Sequence, residues 1–322
     1  MKKQCLWAGV VLAASACLVC AMPAGEVFRL VRVASPSDAD LQEMVRMGLP
    51  MDDSQWAGAN LEIPLGAGDL KRLTAGGMEH EIDVADLEAH YAGVCRQNLA
   101  AVRDGAMQTE AVRRETSPAV TGNAPTNMTY GSMGGFYNYA EVLADLDRMR
   151  QLYPDLITAK QSIGTSHQAN AIWMVKISDN ADTLENEPAC LIDCLHHARE
   201  PGTYTAALYA MWYLLENYGT DPEVTYLVDN RELYFVPVLN PDGLLRNEQT
   251  NPGGGGMWRK NRRDNGNGTY GVDLNRNYPY QWGGVGSSGS TSSDSYRGPS
   301  PASEPETQAL MALATNHPFK TS

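Results

Sequence analysis

Cysteine is scarce in this 322-residue sequence, which has six, three of them within the first 20 residues. Of the other three, Cys190 and Cys194 lie four residues apart in a predicted strand, about 13 Å from each other at about 3.3 Å per residue. That separation is too large for a disulfide, and Cys95 belongs to a different region. We therefore expect no disulfide framework and expect these three thiols to be core residues.

Positive charge is also in deficit, because 25 Lys and Arg against 38 Asp and Glu give a formal net charge of −13. An acidic surface repels phosphate groups, so the charge balance argues against nucleic acid as a partner. The 43% of hydrophobic residues is enough for a sizeable core, and the length exceeds one typical domain.

Long apolar runs are confined to the N terminus. Two lysines precede an apolar run over residues 6–21, and small residues follow it. This pattern predicts a signal peptide over residues 1–24, and so a secreted or periplasmic protein. The run is short for a bilayer span. A membrane anchor stays open as an alternative, as does a lipid attached to Cys17 or Cys20.

Residues 25–95 are predicted to form a small α+β domain. Alternating apolar positions and short amphipathic stretches predict strands at 27–33, 61–65 and 81–84 and helices at 38–47, 69–73 and 86–91. Residues 96–128 then become polar without a clear period, which predicts an exposed linker. The linker contains Arg113-Arg114, which fits either a protease-sensitive site or two ordinary solvated charges.

Residues 129–322 show the alternation of helix and strand that is typical of an α/β domain. The pattern predicts helices at 139–153, 204–218 and 306–316 and strands at 172–177, 189–195, 233–239 and 318–320. The strand at 189–195 is almost continuously apolar, as expected of a buried central strand. Glycine-rich and serine-rich stretches at 253–256 and 283–295 are predicted to be long loops near a site.

The sharpest local signal is His197-x-x-Glu200, which follows the predicted central strand. Ligand sites of α/β sheets form where strands end, and imidazole and carboxylate groups are normal zinc ligands. Two such residues three apart across a turn can face one metal ion. By itself the pair is weak, since surface residues produce it by chance. The neighbouring His196 is predicted to point elsewhere, as a packed residue.

Further polar motifs follow in order along the chain. Residues 240–243, Asn-Pro-Asp-Gly, predict a tight turn at the same sheet edge. Residues 258–263 place several cations in one loop of an acidic protein, and residues 271–278 add an arginine flanked by amides. Arginine binds carboxylates bidentately and can stabilise an oxyanion. Together with the half-site, these motifs indicate an enzyme that holds an anionic substrate end beside a Lewis acid.

In this order and spacing, the four motifs resemble those of the M14 zinc carboxypeptidase family. The resemblance extends from about residue 137 to the end of the sequence, and residues 27–91 are similar to the inhibitory pro-segments of that family. It implies an α/β fold with a mixed central sheet flanked by helices, preceded by a small ferredoxin-like pro-domain. It also implies an exported precursor that hydrolyses the C-terminal peptide bond of its substrates with zinc-activated water.

For the metal centre, the resemblance implies that His197 and Glu200 bind one zinc ion. Asp273 is then the carboxylate that orients the histidine, a role with a clear physical reason. Arg262 is implied to polarise the scissile carbonyl and to stabilise its oxyanion.

For the substrate, the resemblance implies that Asn275 and Arg276 bind the free C-terminal carboxylate of a peptide or protein. Arg199 and Arg259 are implied to contact the substrate upstream of the cleaved bond. The protein's own pro-segment is implied to act as an intramolecular inhibitor, and the protein is expected to be a monomer.

The family also needs a third histidine ligand and a glutamate general base. In the family the third ligand ends the strand that is predicted here at 318–320, and the base lies further on. His317 precedes that strand and is predicted to be a helix-terminal residue. We therefore expect the chain to be C-terminally truncated and poorly active. Two alternatives are a deacylase or amidase of the same fold, acting on acyl-amino acids or cell-wall peptides, and a non-catalytic peptide-binding module.

Overall fold

The computed structural model describes residues 26–103, 123–317 and 319–321. The predicted signal peptide and Arg113-Arg114 lie outside these residues. The N-terminal unit contains, in chain order, β1 (Arg29–Ala34), α1 (Asp38–Arg46), a short 3-10 helix (Met51–Asp53), β2 (Gln55–Ala57), β3 (Asn60–Leu65), α2 (Ala67–Ala75), β4 (Glu81–Val84) and α3 (Leu87–Arg103). Its strands form an antiparallel sheet in the order β2-β3-β1-β4.

Alternation of apolar residues explains the core of this unit. Every second residue of β3 is buried, and β1 pairs with it so that its own alternate residues face the same side. The core contains Val31, Val33, Met44, Leu49, Leu61, Ile63, Leu65 and Leu73. Helix α1 begins at a capping box, in which Ser37 accepts from the backbone of Asp40 and Asp40 from that of Ser37. Local sequence and packing therefore agree in this unit.

The last helix of the N-terminal unit is longer than the sequence pattern predicts. We expected a helix over 86–91, whereas α3 continues to Arg103 and passes the boundary predicted at residue 95. Seven of residues 92–103 are alanine, arginine, leucine or glutamine, which are strong helix formers. The helix-forming composition of this segment therefore accounts for the extra length of α3, although the apolar periodicity of the segment is weak.

The second unit contains α4 (Tyr139–Leu152), β5 (Gln161–Thr165), β6 (Ala171–Ile177), β7 (Ala189–Asp193), α5 (Pro201–Asn217), α6 (Pro222–Asp229), β8 (Glu232–Val236), α7 (Pro241–Thr250), α8 (Pro305–Asn316) and β9 (Phe319–Thr321). Its sheet has the order β5-β6-β8-β7-β9. β6 is antiparallel to both β5 and β8, whereas β7 is parallel to both β8 and β9. The predicted mixed sheet is thus confirmed.

Two apolar clusters lie on opposite faces of this sheet, because successive residues of a strand point to opposite sides. One cluster joins α4, α5 and α6 through side chains such as Leu146, Trp212 and Val228. The other joins α8 to the sheet through Leu310 and Leu313. Helices therefore flank the sheet on both faces, as predicted.

Three elements of the second unit were missed in the sequence, namely β5, α6 and α7. The prediction of a tight turn at residues 240–243 was wrong. These residues begin α7, where the Asn240 side chain accepts a hydrogen bond from Gly243 and Pro241 occupies the first turn. Asn, Pro, Asp and Gly favour helix starts as well as turns, so their composition alone cannot separate the two.

Other predictions agree with the described residues. Cys95, Cys190 and Cys194 are free thiols, of which Cys95 and Cys194 are buried as predicted and Cys190 is only half-buried. His317 ends α8 and places Nδ1 3.2 Å from the Leu313 carbonyl oxygen. None of the helices within the described ranges is long and apolar enough to cross a membrane.

Candidate active site

The predicted metal pair lies at the carboxyl end of β7. After this strand the chain turns through Leu195, whose φ of 59° is left-handed, and Glu200 then forms the N-terminal boundary of α5. This turn brings His197 Nδ1 to 2.8 Å from Glu200 Oε1. His197 is buried, whereas the Glu200 side chain is 37% exposed. The pair therefore has one oriented imidazole and one carboxylate accessible from a cavity.

Two buried asparagines hold the loop that carries His197. Asn240 Nδ2 donates to the His196 carbonyl, at 3.1 Å. Asn247 Nδ2 donates to the carbonyls of Ala198 and Trp258, each at 2.9 Å. These bonds fix the loop against α7, so the helix missed in the sequence is part of the support of the site.

Asp273 orients the imidazole from its other side. Its Oδ1 lies 3.1 Å from His197 Nε2 and accepts from the Asn275 backbone at 3.0 Å, while Arg259 Nη2 donates to Oδ2 at 3.0 Å. With the Nε2 proton donated to Asp273, loss of the Nδ1 proton would leave a lone pair that points toward Glu200. This geometry fits the predicted role of Asp273, which is to orient the His197 imidazole.

Electrostatics in this cluster follow from burial and close charges. Burial alone would raise the pKa of Asp273, but Arg259 and His197 hold it well below its ordinary range. Burial alone would lower the pKa of His197, but the charge of Asp273 and its hydrogen bonds to Asp273 and Glu200 raise it to about 9. The negative charge around His197 thus favours positive charge at this position, in the form of a protonated imidazole.

The predicted arginines are paired with acidic residues of the N-terminal unit. Arg259 is fully buried and donates from Nη1 to both oxygens of Asp53 at 2.7 Å, and from Nη2 to Asp52 at 2.7 Å. Arg199 also donates to Asp53. Arg276 Nη2 lies 3.2 Å from Asp52. The short 3-10 helix of the N-terminal unit therefore enters the site and engages all three cations.

Arg262 occupies a different position from these three arginines. Its guanidinium lies between the rings of Trp258 and Tyr270, 4.5 Å and 4.7 Å from their centroids. Within the described ranges, no hydrogen bond or ion pair joins it to His197 or Glu200. The structure thus brings Arg259, rather than Arg262, to the metal pair, with Arg259 Nη1 3.9 Å from Glu200.

The remaining predicted residues are placed as follows. Asn275 is exposed beside Asp273. His196 points away from the pair, with Nε2 2.7 Å from the Tyr278 hydroxyl and Nδ1 3.3 Å from Asp193. The prediction that His196 faces elsewhere is thus in agreement with the structure.

Sequence patterns gave no indication of Asp52 and Asp53 as site residues. They form a short acidic pair in a unit that was not predicted to supply site residues, and their partner Arg259 lies 206 and 207 positions away. No local spacing rule connects such distant groups. Their only visible signal is two adjacent carboxylates within the segment that resembles a pro-segment.

A second set of contacts holds the N-terminal unit on the loop at residues 283–295. Asp69 accepts from Ser293 Oγ at 3.0 Å and from the Asp294 backbone at 2.8 Å. Asp294 also pairs with Arg199 at 2.9 Å. Between the two units remains a cavity of about 590 Å³, whose lining includes Asp53 and Glu200. The N-terminal unit therefore covers the site while Glu200 faces an open space.

An imidazole and a carboxylate at the end of a parallel strand, with a buried aspartate behind the imidazole, define a metal-binding α/β protein. The family model Peptidase_M14, zinc carboxypeptidase, matches residues 142–322. This is more than half of the chain, so the chain belongs to the zinc carboxypeptidase family, and the family assignment made from the motifs is confirmed.

Curated relatives carry names consistent with this family. A zinc carboxypeptidase of Saccharothrix mutabilis subsp. capreolus is 39% identical over 152 residues, which are 47% of this chain and 34% of the relative. Carboxypeptidase A2 of Rattus norvegicus is 35% identical over 191 residues, covering 57% of this chain and 44% of the relative. The chain thus spans less than half the length of these relatives.

Solved structures show the same fold. Carboxypeptidase A from Helicoverpa armigera matches with a TM-score of 0.64 and 24% identity, over 91% of this chain and 67% of that one. Thrombin activatable fibrinolysis inhibitor matches with a TM-score of 0.60 and 22% identity, over 91% and 69%. At these identities the likeness establishes the fold, including the predicted carboxypeptidase-like architecture.

Proposed function

We propose that this chain comes from the precursor of an exported zinc metallocarboxypeptidase that removes the C-terminal residue of peptides or proteins. The observation that carries the proposal is the contact of His197 with Glu200 on one side and Asp273 on the other. The family assignment supports zinc as the metal. We further propose that the protein acts as a monomer outside the cytoplasm, with residues 1–24 as its signal.

The donor set at this site fits zinc. His197 Nδ1 and Glu200 Oε1 are 2.8 Å apart, so both can face one ion after a small rotation. The Asp273 carboxylate holds Nε2, which fixes the tautomer that leaves Nδ1 free. We propose that one zinc ion binds here and supplies a Lewis acid that activates water and polarises the substrate carbonyl.

The third ligand and the general base are proposed to come from residues beyond 322. β9 runs parallel to β7 with Ala189 opposite Phe319, so a chain that continues in this direction approaches the edge where His197 lies.

The substrate carboxylate is proposed to bind at Arg276 and Asn275. Arg276 is partly exposed, and its Nη2 already pairs with a carboxylate, that of Asp52. Arg259 and Arg199 are proposed to contact the substrate upstream. For the oxyanion, the geometry favours Arg259, whose Nη1 lies 3.9 Å from Glu200, over Arg262, whose guanidinium lies between two aromatic rings.

We propose that the N-terminal unit, residues 26–103, is the pro-segment and an intramolecular inhibitor. Asp52 and Asp53 present carboxylates to the same arginines that are proposed to bind substrate. A substrate carboxylate must therefore displace Asp52 and Asp53, which belong to the same chain and so are present at high effective concentration. Release of the pro-segment, by cleavage in the segment that contains Arg113-Arg114, would free these cations.

The proposal is tested with a pair of peptides that differ only in the C-terminal group, on protein extended to include the residues after Ser322. The peptide with a free carboxylate should lose its last residue in a zinc-dependent reaction, and the C-terminal amide should react at least about 100-fold more slowly, because it lacks the charge that Arg276 binds. Equal rates on both peptides would contradict a carboxypeptidase and favour an amidase of the same fold.

A further inference from the structure

The tip of the pro-segment places carboxylates directly beside His197 of the metal pair. Ligand atoms of Asp52, Asp53 and His197 all lie within 4.8 Å of one another. Two tetrahedral ligands of one zinc ion, each at about 2.1 Å from it, lie about 3.4 Å apart. The present separation exceeds that spacing by at most about 1.4 Å, which side-chain rotation can close.

Asp53 is better placed for this role than Asp52. The side chain of Asp53 is 10% exposed, against 30% for Asp52. A carboxylate has about four lone-pair positions, and Arg259 and Arg199 occupy three on Asp53. Metal-bound carboxylates are usually hydrogen-bonded in this way. One position on Asp53 is therefore left for a cation.

Charge around the metal pair also favours an additional cation. Three guanidinium groups contact five carboxylates there, so two negative charges are uncompensated when the imidazole is neutral. The groups are Arg199, Arg259 and Arg276 with Asp52, Asp53, Glu200, Asp273 and Asp294. A divalent cation matches this deficit, because bound cations are commonly the largest local charges in such a site.

We propose that Asp53 of the pro-segment binds, in the precursor, the metal ion that is proposed to lie at His197. The inference rests on the proposed zinc site and adds a ligand that leaves with the pro-segment. Catalytic zinc sites keep one position open for water or substrate. A carboxylate from the pro-segment would fill that position, so inhibition would act at the metal as well as at the arginines.

The experiment uses the full chain with the pro-segment attached, loaded with zinc for affinity and with Co²⁺ for visible absorption. Asp53→Asn should weaken zinc binding by at least about tenfold and shift the Co²⁺ absorption bands, because an amide is a poorer ligand than a carboxylate. Asp53→Glu keeps the carboxylate and should stay close to the unmodified chain in both measurements.

Asp52→Asn is the matched control, since it removes the same charge from the same short helix and also contacts Arg259. It should leave the Co²⁺ bands unchanged. Bands that are identical in the unmodified chain, Asp53→Asn and Asp52→Asn would overturn the inference and leave Asp53 as an arginine partner only. Absence of metal binding by the unmodified chain would instead contradict the proposed zinc site, so the two failures are distinguishable.

Discussion

At the scale of single residues, Asp273 connects the metal pair to the buried arginines. It is fully buried, and its two oxygens divide between His197 and Arg259. A carboxylate in this position orients the imidazole and raises its basicity as a ligand. It also compensates a guanidinium that has no solvent contact. One side chain therefore supports both metal binding and the stability of the site.

Asp273→Asn should lower zinc affinity by about 10–100-fold, because the amide neither fixes the imidazole tautomer nor carries the charge. It should also lower the free energy of unfolding by about 3 kcal/mol or more, because Arg259 loses a buried counter-charge. Zinc titration and urea unfolding measure the two effects.

Asp264→Asn provides the control for this change, since Asp264 is exposed and accepts only a local hydrogen bond from Gly266. It should leave zinc affinity as it is in the unmodified chain. An Asp273→Asn variant with the same zinc affinity as Asp264→Asn would contradict the orienting role.

At the scale of elements, the beginning of α2 contacts a partly buried carboxylate from the start of the N-terminal unit. Glu26 accepts a hydrogen bond from the Ala67 backbone in the first turn of α2. Burial, and then the charge of Asp294, raise the pKa of Glu26 to about 7, although Lys260 and Arg199 act in the opposite direction. A proton on this carboxyl group therefore stabilises the contact of the N-terminal unit with the second unit.

The sign of the pH dependence follows from this raised pKa. The folded protein binds the proton more tightly than the unfolded chain, so the stabilisation is full below pH about 4.5 and is lost as pH rises through about 7. Between pH 5 and 8 the Glu26 contribution to the free energy of unfolding should fall by about 2 kcal/mol.

Glu26→Gln should remove this part of the pH dependence, which urea unfolding at pH 5 and pH 8 measures. Glu79→Gln, a change at an exposed residue of the same unit, should keep the pH dependence of the unmodified chain. If Glu26→Gln and the unmodified chain lose equal stability over this range, the titration assigned to Glu26 is wrong.

Much of the element order could be predicted from the sequence. Alternating apolar residues predicted β1 and β3, because a strand that is buried on one face shows this pattern. The continuous apolar run after residue 188 predicted β7, because a strand that is buried on both faces is apolar throughout. α7 could not be recognised, since its first four residues favour turns and helix starts alike. His197 and Glu200 were visible as a local motif. The contacts of Asp52 and Asp53 depend on tertiary packing and leave no local pattern.

At the scale of the whole molecule, the interface between the two units concentrates charge at the site. The N-terminal unit contributes Asp52, Asp53 and Asp69, and the second unit contributes arginines and the backbone of the loop at 283–295. Partly buried pairs of this kind are weakly screened by salt, so they favour one docking geometry. The N-terminal unit is therefore part of the site in this structure.

The central claim is that His197 and Glu200 form a zinc site, and calorimetric zinc titration of the full chain tests it most directly. The unmodified chain should bind one zinc ion, and His196→Ala should bind it as well, because His196 points toward Tyr278. His197→Ala and Glu200→Ala should each weaken binding by at least about 100-fold. Equal zinc binding by His197→Ala and His196→Ala would contradict the account.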